Sequence, residues 1–191
     1  MSSVRTLTAM LLVLGLVPPA FPQTVARSLQ LNFTASADNF QAATDEYRAI
    51  WTREGPRIVE AMERRSGLRF EPGPIVVNVF EGTSYSGAPG GPPMMLRASY
   101  PDATKRATLV HELGHRLAND VSGPFDHHEV INLFVYDVWV ELWGQAFADE
   151  QVAIESRRNA ADYAGMWKKA LAMSAQERAR RLEEILKQYR K

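Results

Sequence analysis

The chain has 191 residues, with 22 basic and 22 acidic side chains, so its formal net charge is zero. That balance lacks the electrostatic footprint of a nucleic-acid binder or a polybasic membrane anchor. There is no cysteine, which excludes disulfides and a lipid-anchored cysteine at the N-terminus. The first segment reads as an address. MSSVR is a mildly basic start, LTAMLLVLGLV is an apolar run of 11 residues, and PPAFPQTVA carries small residues suited to cleavage after Ala26 or Ala20. This is the layout of a secretory signal peptide over residues 1–26, too short for a comfortable bilayer span. Residues 27–191 are then one exported domain, secreted or periplasmic, that must hold by core packing alone.

Residues 30–35 alternate and read as a strand. Residues 39–67 follow helical periodicity through Tyr47, Ile50, Trp51, Ile58, Val59 and Met62. Pro56 is expected to break or kink this helix and Gly67 to end it. PIVVNVFE, residues 74–81, is rich in β-branched residues and reads as a central strand. Residues 82–93, GTSYSGAPGGPP, form a loop, and MMLRASY, residues 94–100, a further strand. Asp102 is the expected N-cap of the next helix, ATKRATLVHELGHRLA. From Glu129 to Ser156 one long apolar helix is expected. Two amphipathic helices follow, the last opened by a capping box at Ser174 and Glu177. Strands first and helices later argue for an α+β domain.

The chemistry concentrates in TLVHELGHRLAND, residues 108–120. Residues four apart on a helix share a face, so His111 and His115 can offer both imidazoles to one cation. Glu112 sits one residue round from His111, placed to accept a proton from water that a bound Zn²⁺ acidifies to a pKa of about 7. Leu109, Val110, Leu113 and Leu117 supply a buried face, and the bare Gly114 leaves room for a close neighbour. The competing reading is a chance match on a helix that binds no metal.

This H-E-x-x-H stretch resembles the zincin metallopeptidases. The resemblance spans residues 74–155: a strand, an edge strand, the motif helix and a second helix. It implies a zincin-like domain with a short mixed sheet, Zn²⁺ held by His111 and His115, Glu112 as general base, and a peptide or protein substrate laid along the edge strand. The extended HExxHxxGxxH branch is excluded, because Ala118 and Val121 stand at its glycine and third-histidine positions. The remaining large branch is the gluzincins, whose third ligand is a carboxylate on a later helix; Gly123-Pro124-Phe125-Asp126 more weakly resembles the aspartate-ligand motif of the aspzincins.

On the long apolar helix, Asp137, Glu141, Gln145 and Asp149 fall four apart as one polar stripe. Buried carboxylates need cations or donors, so the stripe is expected to face the His111/His115 helix. The alternative is that arginines satisfy these acids. By resemblance Glu141 is the third ligand, with Gln145 one turn on and Asp137 orienting an imidazole. The thermolysin-like spacing would instead put the ligand at Val135. His127 and His128 are candidates for a ligand or an oxyanion donor, with Tyr136 and Tyr163 behind them. A scaffold that is inactive or acts on a non-peptide substrate, and a structural domain without metal, are the competing functions.

Overall fold

The computed structural model describes residues 29–158 and 162–190. The proposed signal segment 1–26 lies outside them. The domain is α+β. Three strands, β1 (Gln30–Ala35), β2 (Pro74–Phe80) and β3 (Met94–Arg97), are joined in the order β1-β2-β3. Six α-helices accompany them: α1 (Gln41–Ser66), α2 (Asp102–Leu117), α3 (His127–Trp143), α4 (Gln145–Glu155), α5 (Tyr163–Leu171) and α6 (Ala175–Tyr189). No helix among the described residues is long and apolar enough to cross a membrane.

Every pairing in the sheet is parallel, not mixed as expected. The reason is the connections: α1 carries the chain back between β1 and β2, and the loop 81–93 does so between β2 and β3. That loop is also tied down. Tyr85 and Met95 exchange both backbone hydrogen bonds, at 3.0 and 2.8 Å, so part of the outer edge of β3 is already paired. Arg116 Nε donates to the Ser86 carbonyl at 2.6 Å and fastens the loop to α2.

Helix α1 continues through Pro56 and is not broken there. The proline removes one donor, and the turns on either side are long enough to carry the helix across it. It ends where expected. Gly67 takes φ 70° and its N–H donates to the Glu63 carbonyl, a closure that a side chain at this position would strain. Asp102 is the first helical residue of α2, one position inside the cap, and Pro101 is the N-cap. The Ser174–Glu177 capping box forms at the start of α6.

The core centres on α3, whose Val130, Ile131, Leu133, Phe134, Val135, Val138 and Trp139 are all buried. Helices α1, α2, α4, α5 and α6 pack around it. Gly114 lets α2 close on it: a Cβ there would lie 3.0 Å from Val135 Cγ2. The long helix expected to reach Ser156 breaks at Gly144, whose φ of 90° reverses the chain between α3 and α4.

The stripe on α3 faces arginines instead of α2. Asp137 accepts two hydrogen bonds from Arg178 of α6, Nη2 at 2.6 Å and Nε at 3.0 Å. Arg178 also donates to the Met173 carbonyl at 2.6 Å, in the turn between α5 and α6, and so ties α3 to that turn. Both members of the pair are largely shielded, with side chains 6% and 14% exposed. Removing one partner leaves the other charge uncompensated. Arg178→Ala is therefore expected to cost about 3 kcal/mol of stability. Urea unfolding with an unchanged slope checks it; a loss below about 1 kcal/mol would mean that water screens the pair.

Candidate metal centre

Helix α2 presents His111 on its buried side, 2% exposed, and His115 one turn later at the edge of the core. Their Nε2 atoms are 3.3 Å apart. The chain then turns through GPFD, and Asp126 caps α3 by accepting from the His128 N–H at 2.8 Å. The same Asp126 oxygen lies 2.7 Å from His128 Nδ1, so one carboxylate starts the helix and fixes the imidazole. His128 is thereby aimed at the pair on α2. One ring nitrogen each from His111, His115 and His128 lies within 4.8 Å of the other two.

The partners of the outer ring nitrogens decide where the lone pairs point. His127 Nε2 is 2.9 Å from the Ala118 carbonyl, which only accepts, so that nitrogen carries the proton. Neutral His127 then has its lone pair on Nδ1, 2.6 Å from His115 Nδ1. His115 must donate there, which leaves its Nε2 unprotonated. Glu155 Oε1 lies 3.0 Å from His111 Nδ1, close but poorly aligned with the N–H direction, and a carboxylate demands a proton on that nitrogen. Its other oxygen accepts from Trp167 Nε1 at 3.0 Å. Asp126 places the same demand on His128 Nδ1. The outer nitrogens of His115 and His128 are thus held and that of His111 is steered by the nearby carboxylate, which leaves the Nε2 atoms of His111 and His115 facing each other.

Two ring nitrogens 3.3 Å apart need a proton or a metal cation between them. Tetrahedral Zn²⁺ with ligands at about 2.0–2.1 Å holds neighbouring nitrogens about 3.3–3.4 Å apart. The His111–His115 spacing matches such an ion, and His128 lies within 4.8 Å of both, close enough to complete a three-imidazole metal site. Burial first of all, and the neighbouring imidazoles with it, holds His115 far below its ordinary pKa. Burial likewise lowers His128, although Asp126 opposes it. At His111 burial also disfavours the cation, but the Glu155 carboxylate outweighs it and the net shift is upward.

Glu112 is 4% exposed and makes no hydrogen bond to any described residue. Burial pushes its carboxyl up to about 7, against the pull of His111 and aided by Glu155. A group with that affinity for protons and no hydrogen bond among the described residues is suited to general acid–base work.

Glu141, expected as the third ligand, is not brought to this cluster. Its carboxylate is held by Arg64 and by Arg65 Nε at 2.7 Å, both on α1. The physical reason is the rotation of α3. The face that meets α2 is the apolar Ile131–Phe134–Val135 side around Gly114, so the stripe turns to α1 and α6. Asp137 is bound to Arg178, not to an imidazole. Gln145 starts α4 and is exposed, and Asp149 accepts from Tyr136 Oη at 2.7 Å, which removes Tyr136 from the site. Tyr163 is present, its ring 4.7 Å from that of His128. Glu155 was missed because it reads as one more acid at the end of a helix.

A cavity of about 1070 Å³ lies elsewhere, between β1 and α1, and none of its lining residues belongs to the histidine cluster. Donor chemistry, not volume, marks the centre. Comparison with known protein families, with curated proteins and with solved structures finds no match to this chain.

Proposed function

We propose that the chain is a zinc-dependent hydrolase of peptide bonds, built on a zincin-like plan and exported under its first 26 residues. The observation that carries the reading is the set of fixed imidazoles. The outer nitrogens of His115 and His128 face hydrogen-bonding partners, that of His111 lies 3.0 Å from the Glu155 carboxylate, and the three rings gather beside the buried Glu112, which makes no hydrogen bond to any described residue. His111, His115 and His128 would hold the ion. Bound Zn²⁺ supplies a Lewis acid that polarises a carbonyl and acidifies water.

The rest is the work of this chain's residues. Glu112 takes the proton of the attacking water and later gives it to the leaving amine. Glu155, Asp126 and His127 keep the imidazoles in the tautomer that leaves the inner nitrogens free. Low water access around Glu112 strengthens each of these electrostatic contacts.

The test is chelation and restoration. The purified chain should carry about one zinc and cleave casein or a peptide library. Dialysis against a chelator should abolish cleavage, and one equivalent of Zn²⁺ should restore it. Zinc held without cleavage would point to a scaffold that binds only or acts on another substrate. No zinc held would remove the metal reading altogether.

A further inference from the structure

Arg158 follows α4, its N–H donating to the Glu155 carbonyl at 2.9 Å, so it belongs to the same turn as the carboxylate behind His111. Its guanidinium carbon lies 5.9 Å from the ring centre of Tyr163 and 5.9 Å from that of Tyr100. Nη2 donates to Tyr100 Oη at 3.4 Å. Tyr163 in turn touches His128, with ring centres 4.7 Å apart. Tyr100 stands where the chain leaves β3 for α2. The cation therefore sits one aromatic ring from the histidine cluster, at the end of the edge strand.

No Asp or Glu makes an ion pair with it, although the buried Glu112 and Glu155 carboxylates lie near enough to feel its charge. Every Asp and Glu of the chain lies among the described residues. Glu155 is engaged by His111 and Trp167, Glu81 by Arg97, and Asp102 by Arg106. None of them pairs with Arg158. A half-buried guanidinium flanked by two rings has lost part of its hydration and its rotamer freedom, and its planar fork matches a carboxylate with two parallel N–H donors. We propose that Arg158 is a specificity residue that binds a carboxylate of the substrate, a C-terminal α-carboxylate or an acidic side chain beside the scissile bond. This rests on the hydrolase reading for what the substrate is, but not for the anion site itself.

The experiment reads binding without turnover. The zinc-loaded Glu112→Gln chain is titrated by calorimetry with three N-acetylated forms of one peptide: the free acid, the C-terminal amide, and the amide with glutamate next to last. A charge-assisted pair predicts about 10- to 100-fold tighter binding of a carboxylate form over the neutral amide. The free acid or the glutamate form gains according to the source of the carboxylate. Arg158→Gln should erase that preference while the neutral amide binds as before, and Arg158→Lys should keep part of it. Equal or undetectable binding of all three forms overturns the proposal, as does a preference that survives Arg158→Gln. Loss of the neutral amide as well makes Arg158 a structural residue and overturns it too. Failure of the hydrolase reading shows separately, in the chelation test.

Discussion

His128→Ala will strip the chain of zinc at neutral pH, and Glu141→Gln will leave its zinc in place. A site with three protein ligands that loses one falls by several orders of magnitude in affinity, whereas a change behind the ligands costs about 10–100-fold. His128 offers its inner nitrogen to the cluster because Asp126 occupies the outer one. Glu141 is bound to Arg64 and Arg65 and has no part in the cluster. The measurement is zinc titration against a competing chelator for His128→Ala, Glu141→Gln and the parent. Asp126→Asn should fall between them, since the amide still caps α3 but no longer fixes the imidazole proton. Retention in each variant should weaken as pH falls, first as His111 takes a proton, since its pKa is raised, while His115 and His128, both lowered, keep their lone pairs to lower pH. If Glu141→Gln loses the metal and His128→Ala keeps it, the expectation from the gluzincin resemblance is right and the three-histidine centre is wrong.

The H-E-x-x-H spacing was legible because it depends on one local rule, the 3.6-residue helical period, and on nothing distant. The strands, the Gly67 stop and the Ser174 capping box were legible for the same reason: each is decided within a few residues. Where the acids of α3 go was not legible, although His128 already stood among the ligand candidates. On α3 the polar stripe and the apolar face differ only by rotation, and which of them meets α2 is set by how Gly114 admits Val135. Arginines 76 or 77 positions upstream of Glu141 and 41 positions downstream of Asp137 then claim the acids. Periodicity cannot see such partners. The break at Gly144 was equally hidden, because the apolar run continues across it and only the backbone angle reveals the reversal. A local signal for His128 did exist. Asp126 is an N-cap residue followed two places later by a histidine, and a capping carboxylate that reaches an imidazole aims it.

Glu112→Gln is expected to keep the fold and the metal and to lose cleavage by about 10²–10⁴-fold. The amide has the size and shape of the acid, so the buried pocket on α2 stays filled. It cannot take a proton, which is the one property the proposed role requires. Burial raises the carboxyl of the metal-free chain to about 7, and a cation bound beside it would favour the ionised form that accepts the proton. The glutamine has no such form. Replacing a buried, proton-hungry carboxyl by a neutral amide also removes a desolvation cost, so thermal stability should hold or rise slightly while turnover collapses. That split between stability and activity separates a chemical role from a structural one. Zinc content, thermal midpoint and cleavage of one peptide, measured on the same preparations, decide it. A variant that cleaves as fast as the parent would take the base away from Glu112; one that loses zinc or unfolds would make the glutamate part of the scaffold.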